Sequence, residues 1–221
     1  MNLPADLLSP GWLWGGCLAY FSLLALAFFR APWSRLNDPR TLNVFLGSCV
    51  ALIALWHMEA GVLPGLHYHL LGATAMTLMF GWPLGLLGMT LVLVATTGNG
   101  LGAWETLCMN GLLGTALPVG VTHLVLRASE RWLPPNFFVY VFVNGFFSAG
   151  LAISATAIAA TLLLVMSGAY PIHQLAASYL AYLPLVAFPE AWVNGIVITM
   201  LVGLRPEWVC TFQDSRYLDG R

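Results

Sequence analysis

Three of the chain's five histidines and one of its nine acidic residues fall between two apolar segments, in the stretch from His57 to Gly72. His57, Glu59, His67 and His69 offer imidazole nitrogen and carboxylate oxygen, the donor set of a divalent transition-metal site. Only 8% of the residues are charged, so this grouping makes metal binding the first chemistry to consider. His67 and His69 are one residue apart where a helix is expected to start, which turns them in different directions. That spacing favours His69 with a partner from elsewhere over one ion held by both.

The elements that must position these residues are membrane helices. The chain is 59% hydrophobic, and ordinary soluble domains carry roughly 25% charged residues. Its apolar stretches approach the roughly 20 residues that cross a bilayer as a helix and lack the alternation of an outer-membrane barrel. The expected fold is therefore an all-α membrane protein, a polytopic bundle of about seven transmembrane helices in one integral membrane domain over residues 1–221. The spans read as 11–29, 41–56, 69–80, 83–97, 104–126, 136–167 and 175–204. The third and fourth, joined by Gly81-Trp82-Pro83, form a tight hairpin whose helices need not each cross fully. Nothing positive precedes the first span and Asp6 does, so it is expected to be retained rather than cleaved as a signal peptide.

All eight basic residues are arginines, and they occupy three places. Arg30, Arg35 and Arg40 follow the first span, Arg127 and Arg131 the fifth, and Arg205, Arg216 and Arg221 the seventh. Seven spans put these on one side, which the positive-inside rule makes cytoplasmic. The N-terminus and the 57–69 segment then face outward and the C-terminus inward. Cys17, Cys49, Cys108 and Cys210 show no C-x-x-C spacing, so they read as small buried apolar residues rather than a disulfide framework.

Polar groups inside spans are costly and ask for partners. Glu190, Asn144 and Asn194 are such residues, open to helix-to-helix hydrogen bonding or to a place on a transport path. Asn110, about two turns inside the outer edge, could orient the ligand loop. No G-x-x-x-x-G-K-[ST] loop is present, so any energy from nucleotide must come from partners. An intramembrane enzyme is the competing class, but His57-Met58-Glu59 does not complete the H-E-x-x-H motif of a metalloprotease.

The run His69-Leu-Leu-Gly-Ala73, the Gly81-Trp82-Pro83 turn, the glycine-rich 98–102 turn, Met109-Asn110-Gly111 with Gly114, and Glu190 before Gly-Ile-Val-Ile-Thr resemble the CbiM family. These are the metal-binding membrane subunits of cobalt and nickel energy-coupling-factor importers. Pro189–Gly195 and Arg205–Trp208 are similar to a divergent proteobacterial branch. The resemblance implies a bacterial inner-membrane, multi-pass uptake component with cobalt, nickel or zinc as substrate and no organic cofactor. Its implied partners are a transmembrane coupling subunit and ATPase subunits, with no nucleic acid.

In that family a Met-His start provides the α-amine, a backbone nitrogen and an imidazole, and the histidine of His-Leu-Leu-Gly completes a square-planar shell. The resemblance therefore assigns the amine of Met1 and His69, whereas Asn2 stands where the second imidazole would be. Two readings stay open. Either His57 or His67, with Glu59, supplies the missing donor and moves the geometry toward tetrahedral, or the site is repurposed without metal transport.

Overall fold

The computed structural model describes residue 3, residues 7–63 and residues 66–217. Among these the order is α1 (Pro10–Arg30), α2 (Pro39–Trp56), strands β1 (Ala60–Leu63) and β2 (Leu66–Tyr68), α3 (Ala73–Phe80), α4 (Trp82–Leu101), α5 (Trp104–Trp132), α6 (Phe137–Met166), α7 (Ile172–Leu204) and, in the tail, α8 (Asp214–Tyr217). Six of the helices, α1, α2 and α4 to α7, are long and apolar enough to cross a membrane.

Local chemistry accounts for the boundaries. Asp38 caps α2 by accepting the N–H groups of Arg40 at 3.3 Å and Thr41 at 3.2 Å, and Pro39 follows in the first turn where no intrahelical donor is needed. The glycine-rich turn ends α4, and Gly100 there has φ +88°, a conformation that favours glycine. Helices α5 and α6 carry π-helical turns at Leu112–Ala116 and Tyr140–Phe147.

The expected span 69–80 is helical only from Ala73 to Phe80, eight residues or about 12 Å, well short of the roughly 30 Å hydrocarbon layer. Gly72, at φ +67°, stops the helix from extending upstream, and a Cβ there would collide with Leu52. In place of the expected helix start, β1 and β2 pair antiparallel, with Gly61 opposite His67 and Ala60 opposite Tyr68. Helix α3 is almost wholly buried and packs against α4, α5, α6 and α7, so it forms the centre of the bundle.

The cysteines also differ from the sequence reading. Cys17 on α1 and Cys108 on α5 are joined as a disulfide with Cα atoms 4.9 Å apart, whereas Cys49 and Cys210 remain thiols. Spacing along the chain carries no trace of a bond that spans 91 residues. The same helix pair meets where the Tyr20 ring lies on Gly111, a place with no room for a side chain.

The arginine segments converge at one end of the bundle. Arg216 and Arg127 reach Glu130 at 3.0 Å and 3.7 Å, and Arg35 lines a small cavity with Glu207 and Trp208.

Candidate metal centre

The hairpin presents His67. Its Nδ1 lies 2.9 Å from Glu59 Oε1, and its ring lies across Gly61 on the facing strand, within van der Waals reach of that glycine. With Nδ1–H directed at the carboxylate, the ring's lone pair is on Nε2, which is how carboxylates prepare metal-binding histidines. Glu59 is thus placed to act through His67.

His69 lies beyond the strand and is buried. Its Nδ1 is 3.2 Å from the Leu70 carbonyl, which can only accept, so Nδ1 carries the proton and Nε2 the lone pair. The ring packs on Trp56 with centroids 4.7 Å apart, and burial holds the imidazole well below its usual pKa, hence neutral at pH 7. Tyr68, between the two histidines, stacks on Tyr179 at 4.4 Å, and burial pushes its phenol up to about 12. His67 and His69 both border a cavity of about 10 Å³ that Thr156 and Tyr179 also line, comparable to the room one water needs.

What fixes this segment comes from the far end of the sequence. The Glu190 carboxylate on α7 accepts the N–H of Leu71 at 2.7 Å, of Gly72 at 2.9 Å and of the Asn194 side chain at 2.9 Å. Asn194, one turn on, accepts the N–H of Ala75 at 2.9 Å. Gly72 offers no side chain to cap α3, so these two residues satisfy donors that a helix start leaves open. An acidic group there also complements the positive end of the helix dipole. Trp56 Nε1 donates to the Leu71 carbonyl at 3.1 Å and completes the hold on the loop.

A second clamp lies on α5. Asn110 Oδ1 accepts the N–H of Leu3 at 3.0 Å, and the Thr106 hydroxyl donates to the Leu3 carbonyl at 2.6 Å, so both backbone groups of this buried residue are held. Met1 and Asn2 lie outside the described residues.

The other expected positions are placed apart. His57 is exposed at the end of α2, with Nδ1 on the Ile53 carbonyl at 2.6 Å. Among the described residues no three His, Cys, Asp or Glu side chains gather around one point. Sequence reasoning named Glu190, Asn110 and Asn194 without their targets, and missed Thr106 and Trp56. The available signals were the four-residue steps from Thr106 to Asn110 and from Glu190 to Asn194, which put each pair on one helix face.

The comparisons agree with this architecture. A family profile described as "Cobalt uptake substrate-specific transmembrane region" matches residues 2–208. A crystal structure of a truncated transition metal transporter superposes with a TM-score of 0.78 at 17% identity, covering 92% of this chain and 99% of that one. A further crystal structure of a transition metal transporter gives 0.79 at 18% identity, covering 92% and 93%. A search among curated proteins finds no match. At such identities the superpositions establish a shared fold, and the family match over nearly the whole sequence adds membership: the chain belongs to the CbiM family.

Proposed function

We propose that the chain is the substrate-binding membrane component of a transition-metal uptake transporter of the energy-coupling-factor ABC type, with cobalt, nickel or zinc as its substrate. The observation that carries this reading is the pair His67 and His69. Each has its Nδ1 proton directed at an oxygen and its lone pair on Nε2, and both border one small cavity at the end of the bundle opposite the arginines. The amine of Met1 completes the donor set on this reading. The Thr106 and Asn110 clamp on Leu3 supports it, because it anchors the chain two residues from that amine.

Among the candidate replacements for the imidazole absent at Asn2, His67 is preferred over His57, whose ring is directed at its own helix. Glu59 orients His67, Glu190 shapes the His69 loop, and Asn110 positions the start of the chain. A donor set of two imidazoles and an amine suits zinc or cobalt as well as nickel.

On this reading energy comes from separate partners, a transmembrane coupling subunit and ATPase subunits, which fits the lack of a phosphate-binding loop in the sequence, and the role of this chain is transport. The arginine end is read as cytoplasmic in a bacterial inner membrane, with the N-terminus outside. A reporter active only in the periplasm, fused after Arg221, should then stay silent.

The test is elemental analysis of protein purified after exposure to a mixture of nickel, cobalt and zinc. A bound transition metal that disappears in His69→Ala supports the proposal. Protein that retains none overturns it and favours the repurposed alternative.

A further inference from the structure

Helix α3 is held at both ends by other parts of the chain. At its start, Glu190 and Asn194 take the N–H groups of Leu71, Gly72 and Ala75. At its finish the tail after α7 supplies the donors. Cys210 N–H reaches the Met79 carbonyl at 3.0 Å, and the Thr211 hydroxyl reaches the Leu78 carbonyl at 2.8 Å. That hydroxyl has one proton, so it accepts from Tyr140 OH, 2.6 Å away, and a relay runs from Tyr140 through Thr211 to α3. The tail is fastened in turn by Arg216 on Glu130 at 3.0 Å and by the stacked rings of Phe212 and Tyr217, centroids 5.2 Å apart, packed on Tyr140.

We infer that α3 links occupation of the His69 site to the conformation of the C-terminal tail, with Thr211 as the positioning residue at the far end. This rests on the metal reading above. A short helix in a close-packed interior moves as a unit, since packed cores transmit displacement rather than absorb it. Its first turn follows the loop that carries His69, and its last carbonyls are the anchor of the tail. A cation that draws His69 into its shell therefore shifts or stiffens α3, and the tail registers the change about 12 Å away along the helix axis. Linkage makes the coupling reciprocal: if metal shifts the conformational equilibrium of the tail, shifting that equilibrium alters metal affinity. A cavity of about 250 Å³ beside Cys210, bordered by Thr77, Trp82, Glu130 and Arg216, leaves the tail room to move.

Cys210 provides the readout. In a Cys49→Ala background it is the single remaining thiol, and burial pushes its pKa up, so its modification by iodoacetamide is slow and sensitive to opening of the tail. In protein reconstituted into nanodiscs, saturating nickel should change the modification rate on the order of fivefold or more, the low end of ordinary coupling. His69→Ala should abolish that change. Thr211→Val, which removes one of the bonds to α3, should weaken nickel binding, and Thr211→Ser, which restores the hydroxyl, should recover it.

An unchanged rate in protein that does bind nickel overturns the link and leaves the metal site standing. A rate change that persists in His69→Ala is metal on the thiol itself and also overturns it. Protein that binds no metal removes both proposals. The parent measurement needs no tail variant, so a Thr211→Val chain that fails to fold does not shield the inference.

Discussion

The Glu190 carboxylate accepts the backbone N–H of Leu71 across 119 positions of sequence, at 2.7 Å. A second oxygen takes Gly72 and Asn194, so a buried acidic group in the middle of the bundle serves as a cap for a helix that cannot cap itself. Burying a carboxylate in hydrocarbon is expensive unless its lone pairs are used, and here N–H donors use them.

That relationship sets the first prediction. Glu190→Gln replaces one acceptor oxygen by an amide that faces an N–H, and Glu190→Ala leaves the donors bare at about 1–3 kcal/mol each. Both should lower thermal stability, Ala more than Gln. Metal affinity measured by calorimetry should fall about 10- to 100-fold in Gln, the range seen when groups that orient a ligand are lost. Wild-type affinity in Glu190→Gln would separate the cap from the metal site.

His69→Ala should reduce affinity for nickel, cobalt and zinc by more than that, because it removes a donor outright. His123→Ala is the control, since His123 sits among the arginine-end residues. Glu59→Gln should produce an intermediate loss on the order of tenfold by releasing the His67 ring, and His57→Ala should change little. A larger loss in His57→Ala than in His67→Ala would reverse the preference between them.

Much of this arrangement was legible in the sequence. Composition and span lengths give the membrane bundle, and the placement of Arg35, Arg127 and Arg216 anticipates their convergence at one end. Helix α3 reads as part of a span because Leu70–Phe80 carries no charge and is apolar apart from Gly72, Thr74 and Thr77. Hydropathy does not register that Gly72 takes a positive φ or that the flanking donors find partners on α7. The His57–His69 segment reads as ligand-rich, yet residue spacing cannot say that Gly61 lies under the His67 ring. The Cys17–Cys108 bond was illegible for the same reason: it depends on which helices meet.

That disulfide ties α1 to the turn of α5 that carries Thr106 and Asn110. Cross-linking across 91 residues should stabilise by about 2–4 kcal/mol, chiefly by restricting the unfolded chain. Cys108→Ser should therefore melt several degrees lower in detergent than the parent. Reduction with dithiothreitol should lower the parent to the same value and leave the variant unchanged. Parent melting that does not respond to reductant would remove the bond from the stability argument.

The last prediction concerns pH and the cap of α2. Hydrogen bonds from Thr41 and Arg40 hold the Asp38 carboxyl below its ordinary value, so the folded state binds its proton less readily than the unfolded chain. By linkage the stabilisation is fully present above the unfolded pKa, near 3.9, and is lost as pH falls through the lower folded value. The parent and Asp38→Asn should differ in how melting temperature depends on pH below about 4.5, with the parent falling more steeply. Asparagine retains a capping oxygen without a titrating proton, so the two curves should converge at the acid end. Parallel curves from pH 6 to pH 2.5 would show that Asp38 contributes no charge-dependent stability to α2.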